Sequence, residues 1–434
     1  MIFSNIDKTN KFLSILYLFI WPFGAFIKGV RSFWTGKGYI YIVFFYTFIG
    51  FSLLPTGDAA RYSDSFEIVS NYTFENYLNI ANANLFQGES HNLLPNAVNK
   101  KADIFALTLQ FIISKLTENV NIFFALIAFL YAFITFKVLS FIEVLNIVKF
   151  NKNQKILILM FLCAIPFTWP IVGVRFWLAI MLFLWFALKF YKTGGYLYIF
   201  ALLGCTLIHY TVIIMVVLFG INFITFRYKL PRVLIIFMVL VVLLLSQTSI
   251  LLYIDAFITG SDIGIVKSSS SSYTNSEYVT AKNSIVQKSS IHAIYWKFSL
   301  KVALSFLTFL EVIGVLTKKN NFADKNFYRK LTSIEYILFF YVLLTWNLQS
   351  IGRFAYLYFL IFFIRRILIY SKLNHKVIRK ELQILKPIMF IYVLISLRVL
   401  FYSINPFIFI SNPFVAGVFE TTQSISDFIF TNKE

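Results

Sequence analysis

Apolar residues in this chain fall into blocks of about 15–25 positions separated by short charged segments, the spacing expected when each block must cross about 30 Å of hydrocarbon. The block 233–253 is apolar on every side, so it has neither the alternation of a barrel strand nor the polar stripe of a surface helix. The pattern predicts an all-α, polytopic integral membrane protein with about 10–12 transmembrane or re-entrant helices in one domain spanning 1–434. Blocks at 38–54, 119–142, 233–253, 296–317, 334–350, 353–371 and 387–410 read as single crossings. The stretch 156–188, interrupted by Pro166 and by Trp169 to Gly173, reads as a hairpin, because proline removes a backbone donor and breaks the ladder. The stretch 196–226 is too short for two full crossings and reads as two short helices parting near Gly204–His209. A helix at 103–117 reads as half-inserted or interfacial.

Composition agrees: 59% of the 434 residues are hydrophobic, 13% are charged, and the mean hydropathy is +0.77. The net charge of +20 would raise the question of nucleic acid in a soluble protein. Here most of the surplus sits between apolar blocks, where cytoplasmic loops collect Lys and Arg, so no nucleic-acid partner is expected. Lys149/Lys152/Lys155, Lys189/Lys192, Arg227/Lys229/Arg232, Lys318 to Lys330 and the strongest cluster, Arg365 through Lys386, serve as cytoplasmic markers. They leave two long segments outside, 55–102 and 254–295, the latter with the run Ser268–Ser272. They cannot orient the opening block 12–30, which has basic residues on both flanks. Cys163 and Cys205 lie inside apolar blocks, so neither a disulfide framework nor a zinc site is expected.

Ionisable side chains inside or beside such blocks cost on the order of 3 kcal/mol, which makes each a candidate functional group. Four places qualify: Arg175 after Gly173; His209 before Tyr210 and Thr211; Arg353, with Gln349 one turn before it and Tyr356 and Tyr358 after; and Asp58, Arg61 and Asp64 at i,i+3 spacings beside Tyr62. The charge-based topology puts all four on the outer face. Each also has a plainer reading: the arginines can snorkel to headgroups, His209 can be a satisfied structural imidazole, and the acids can cap a helix start. Glu311 and Arg398 read as structural pairs.

Arginines converging at an outer membrane surface, without metal-ligand spacing, suit an anionic lipid-linked substrate, since guanidinium forks match phosphate oxygens in pairs. Were the ligand a polyprenyl diphosphate sugar, they would stabilise the charge growing on the diphosphate as the glycosidic bond breaks, and a carboxylate or imidazole would deprotonate the acceptor hydroxyl.

The ordered set resembles the EpsG-type polysaccharide polymerases, relatives of the Wzy O-antigen and capsule polymerases. The resemblance rests on Gly57–Asp58 through Arg61–Tyr62–Ser63–Asp64, Gly173–Val174–Arg175 to Ala179, His209–Tyr210–Thr211, and Arg353 to Tyr358. It departs from the family pattern at Thr211, where serine is commoner, and in the tyrosine spacing of the first element. The resemblance implies a fold similar to class C glycosyltransferases and a metal-independent, cofactor-free enzyme in the bacterial cytoplasmic membrane. It implies joining of undecaprenyl-diphosphate-linked oligosaccharide repeat units at the outer face, with a chain-length regulator admitted as a partner. It assigns Arg175 and Arg353 to the diphosphate, Arg61 to their support, and Asp58 or Asp64 and His209 to the acceptor; Gln349, Tyr62 and Tyr210 complete the expected substrate contacts.

Two other classes stay open. A flippase for the same lipid-linked glycan should carry its cations through the midplane and lack large external segments. An O-antigen ligase should have one dominant late external loop, whereas here the external mass is split. A membrane acyltransferase is disfavoured by the lack of a His-Asp or paired-His element.

Overall fold

The computed structural model describes residues 11–35, 38–55, 58–82, 104–145, 150–226, 232–247, 291–313, 325–345, 352–369, 375–412, 415 and 424–425. Among them the regular structure is helical, apart from one isolated antiparallel bridge between Leu53 and Ile404. The helices are α1 (Lys11–Ile20), α2 (Pro22–Ser32), α3 (Tyr39–Phe51), α4 (Asp58–Ser70), α5 (Phe74–Asn82), α6 (Ile104–Ser114), α7 (Val120–Leu145), α8 (Lys152–Cys163), α9 (Trp169–Val172), α10 (Val174–Thr193), α11 (Leu197–Ile208), α12 (Ile213–Thr225) and α13 (Arg232–Gln247). Four more follow: α14 (Ile291–Val312), α15 (Lys325–Leu344), α16 (Ala355–Ile369) and α17 (His375–Ser403). The second external segment lies mostly outside the described residues, as do 83–102 of the first, whose described start folds into α4 and α5.

By length and composition, three helices among the described residues can cross a membrane: Val120–Leu145, Val174–Thr193 and Lys380–Ser403 within α17. Other apolar stretches form shorter helices, among them Tyr39–Phe51, Ile104–Ser114 and Leu197–Ile208. The opening block breaks at Trp21–Pro22 into α1 and α2, and the 196–226 stretch breaks at His209 into α11 and α12. The 156–188 hairpin appears as α8, the single turn α9 and α10. Its first arm is fixed by a capping box, in which Asn151 accepts from the Gln154 N–H and the Gln154 side chain accepts from the Asn151 N–H. The last arm ends on Gly194 at φ +72°, the left-handed cap that glycine tolerates without a Cβ clash.

Helix α10, about 30 Å long at 1.5 Å per residue, is a ruler for the two ends of the molecule. At its C-terminus the Lys330 ammonium reaches the Tyr191 carbonyl at 3.5 Å, and Asn222 donates to both the Tyr191 hydroxyl and, at 3.3 Å, the Lys330 carbonyl. Gln154, at the start of α8, donates to the Ile367 carbonyl near the end of α16 at 2.7 Å. At the other end of α10, Ile171 and Val174 pack in one apolar cluster with Leu53, Tyr62, Phe123, Phe124 and Ile404. The Leu54 N–H donates to the Ser403 carbonyl at 2.9 Å, tying the end of α3 to the end of α17. Trp21 joins this end through its indole N–H, 2.8 Å from the Phe409 carbonyl. The opening block, which charge could not orient, is thereby placed.

Arg365 and Arg366, which open the strongest basic cluster at the end of the 353–371 block, lie inside α16, a helix buried along its whole length. Arg365 pairs with Glu311 of α14 and Glu335 of α15; Arg366 contacts Glu311 and Glu381 of α17. The reason is counter-charge: three carboxyls on three neighbouring helices neutralise guanidinium groups that would otherwise seek water. Glu311 is indeed a structural partner, but of Arg365 and Arg366.

Helices α3 and α7 approach so closely that a Cβ built on Gly50 would stand 2.6 Å from the Phe124 carbonyl oxygen. Gly50→Val should therefore cost about 1–3 kcal/mol by overpacking, read as a lower thermal midpoint of the detergent-solubilised protein. An unchanged midpoint would show that the α3–α7 contact is slack.

Candidate functional site

The end of the molecule that holds the start of α10 also gathers most of the sequence-selected polar residues. Arg175 is the second residue of α10, half-buried, and its guanidinium lies over the Tyr62 ring, 5.7 Å from the centroid. Tyr62 belongs to α4, so the first element and the second meet here. Helix α4 is held by Gln110 of α6, which is buried: its amide donates to the Tyr62 carbonyl at 2.8 Å and accepts from the Ser65 hydroxyl at 3.1 Å.

His209 is buried between α11 and the 3-10 turn Tyr210–Val212. The chain turns there because His209 takes up an extended conformation, and its Nδ1 accepts from the Thr211 N–H at 3.4 Å and sits 3.1 Å from the Thr211 hydroxyl. Both Arg175 and Arg353 act electrostatically on this imidazole, so the second, third and fourth elements share one neighbourhood. Arg353 itself is exposed, in the 3-10 turn Gly352–Phe354 that leads into α16.

Aromatic packing sets these positions, and sequence reasoning missed it. Phe176, next to Arg175, meets the His209 ring at 5.4 Å and the Phe354 ring at 5.2 Å, both edge-on. Tyr356 packs against Trp169 at 5.6 Å and Trp177 at 5.0 Å, bringing the start of α16 onto the α9–α10 turn. Such ring pairs add about 0.5–1.5 kcal/mol each beyond area burial. The available signal was the recurrence of an aromatic residue directly after Arg175, His209 and Arg353.

Not every candidate converges. Asp58 and Arg61 form an ion pair at the solvent-facing start of α4, with Arg61 largely exposed. At 100° per residue Asp58 flanks the packed Tyr62 face of α4, while Asp64 falls on the opposite side and is exposed. That geometry sets Asp58 apart from Asp64 as the acid nearer the arginines. Tyr210 is half-buried, its ring 5.4 Å from that of His209. Tyr358 points away from this end: its hydroxyl donates to the Leu304 carbonyl at 2.8 Å and meets Thr308 at 2.6 Å, in the interior beside Glu335. Gln349 lies outside the described residues. Among the described residues no three His, Cys, Asp or Glu side chains are grouped to hold a metal ion.

An apolar cavity of about 310 Å³ adjoins the site, lined by Phe26, Trp34, Tyr46, Tyr131, Phe167 and Pro170 among others. Its wall reaches the α9 turn, five residues before Arg175, and continues towards Trp34, over which the Lys155 ammonium lies at 5.3 Å. Comparison with protein-family models, with curated proteins and with solved structures gives no match for this chain.

Gln110→Ala should loosen α4 by about 1–3 kcal/mol, since it leaves the Tyr62 carbonyl and Ser65 hydroxyl without that partner. Limited proteolysis of the intact protein should then cut within 58–82 faster than in wild type. Equal cleavage rates would show that the Gln110 latch does not hold the first element in place.

Proposed function

We propose that this chain is a polytopic enzyme of the bacterial cytoplasmic membrane that joins undecaprenyl-diphosphate-linked oligosaccharide repeat units at the outer face, as a polysaccharide polymerase of the EpsG or Wzy kind. The observation that carries the reading is the packing of Phe176, next to Arg175, against both the buried His209 ring and the ring of Phe354, next to Arg353. Two guanidinium groups at one end of the molecule suit a diphosphate, and the apolar cavity whose wall reaches Pro170 suits a hydrocarbon chain. The layering supports the orientation: Lys155, Lys189 and Lys330, all charge-rule cytoplasmic markers, cluster with the far ends of α8 and α10, a helix length away from Arg175.

In this reading the acceptor hydroxyl oxygen attacks the anomeric carbon of the donor glycan. The bond from that carbon to the diphosphate oxygen breaks, and undecaprenyl diphosphate leaves with the bonding electrons. Arg175 and Arg353 hold the diphosphate and stabilise the charge it gains, the part a divalent cation takes in many soluble glycosyltransferases. Asp58, on the Tyr62 side of α4, receives the hydroxyl proton, directly or through water. His209, held by Thr211 and flanked by two positive charges, is suited to orienting the acceptor rather than to carrying a further positive charge.

A second reading, a flippase for the same glycan lipid, is favoured by one observation: the charged residues buried among α14, α15, α16 and α17, since ionisable groups inside helix bundles are common along transport paths. A glycan gel of a deletion strain separates the two. A ladder that collapses to one rung indicates a polymerase, and loss of all surface glycan indicates a flippase or an earlier step.

Arg175→Ala and Arg353→Ala should each abolish long-chain polysaccharide while single repeat units persist on the surface; wild-type chain lengths in both would refute the assignment. Arg175→Lys should not restore activity, because an ammonium keeps the charge but loses the paired N–H fork. Full rescue by lysine would instead mark Arg175 as a snorkelling cation.

A further inference from the structure

The ionic cluster among α14–α17 does not balance. Arg365 and Arg366 bring two positive charges; Glu311, Glu335 and Glu381 bring three carboxyls, and all five side chains are nearly inaccessible. If every group ionised, one negative charge would remain inside the packed interior, where an uncompensated ion costs several kcal/mol.

The three carboxyls are not equivalent. Glu311 is gripped by both arginines: Arg365 Nη1 donates to Oε1 at 2.8 Å, Arg365 Nη2 donates to Oε2, and Arg366 Nη2 lies 2.7 Å from Oε2. Glu335 receives a paired fork from Arg365, through Nε to Oε2 and through Nη2 to Oε1 at 2.8 Å. Glu381 has one contact, Arg366 Nε at 3.3 Å from Oε2, and neither atom makes a hydrogen bond there.

Among the described residues of its own helix, Ile384 and Leu385, one turn on along the same face, are apolar, and Lys380 and Lys386 are exposed on other faces. Among the described residues, the titratable groups bearing on it are Arg365 and Arg366 from α16, Glu311 from α14 and Glu335 from α15. Tyr336 of α15 flanks the same cluster, and α8, which also packs on α17, contributes the uncharged Gln154 at this level. Lys301, buried on α14, is ten residues from Glu311 along the helix, or about 15 Å, too far to serve as the missing cation.

We infer that Glu381 is a proton-binding site: its carboxyl holds the one proton that makes the five-residue cluster neutral. The step is simple uptake, Glu381 carboxylate plus a solvent proton giving the neutral acid. Release of the proton would set a bare carboxylate against Glu311 and pull Arg366 away from it, so occupancy of this site governs how α17 seats against α14 and α16. The inference is independent of what the Arg175–Arg353 end binds.

The test is infrared spectroscopy of the full-length protein in lipid nanodiscs, comparing ordinary and heavy water. Wild type should show a protonated carboxylic C=O band that shifts on deuteration; E381Q, which imitates the neutral acid, should lose that band and keep the wild-type thermal midpoint. E335Q, which breaks the paired fork that Arg365 donates to Glu335, should give little folded, monodisperse protein. A wild-type spectrum without the band, a band that survives in E381Q, or an E381Q protein as poorly folded as E335Q would each overturn the assignment.

Discussion

Two adjacent guanidinium groups inside a wholly buried helix must find counter-charge, and meeting that demand organises the C-terminal half of this protein. Helix α16 carries Arg365 and Arg366 among phenylalanine, isoleucine and leucine, and it can be seated only where Glu311, Glu335 and Glu381 reach it from three other helices. A slip of one helical turn would move the arginines about 5.4 Å and leave the acids uncompensated, so the ionic contacts fix α16 along its axis far more sharply than interchangeable apolar side chains could. Arg353, in the turn just before this helix, whose first residue is about 15 Å along the axis from Arg365, is then held at the opposite end at a set height. The interior cluster and the exposed arginine are one mechanical unit.

At that opposite end the demand is different. Arg175 is half-buried and Arg353 exposed there, while aromatic rings packed beside them set the geometry. Phe176 bridges His209 and Phe354, and Tyr356 wedges against Trp169 and Trp177. These rings are stiff and bulky, and they transmit position from α10 to α16 without placing a competing charge next to the arginines. Tyr62 brings in α4 the same way, its ring beneath Arg175 and its carbonyl latched by Gln110. The result separates structural from chemical polarity: buried charges are matched by charges, and rim charges are supported by rings.

The broken helices belong to the same logic. A continuous helix through His209 would satisfy the local backbone but would carry the imidazole past the start of α10; the extended residue and 3-10 turn hold it at the level of Arg175 and Arg353. The Trp169–Gly173 turn does likewise for Arg175, and Gly352–Phe354 for Arg353. Each interruption costs backbone hydrogen bonds, and such breaks persist in apolar surroundings where they line a site or are covered by protein.

The sequence alone determined the helical class, the hairpin at 156–188, the break near His209 and the polar residues worth attention. These follow from local rules: the length of apolar runs, the place of proline and glycine, and the cost of an ion in an apolar stretch. It also marked Glu311 as a structural partner. It could not say that Arg365 and Arg366 are interior ion-pair groups, because a dibasic step at the end of an apolar block looks the same whether acids from distant helices meet it or water does. For the same reason Asp58 and Asp64 were indistinguishable until the packed face of α4 was known. Which acid meets which arginine, which ring supports which guanidinium, and where the opening block sits depend on residues tens to hundreds of positions apart, and only packing in three dimensions decides them.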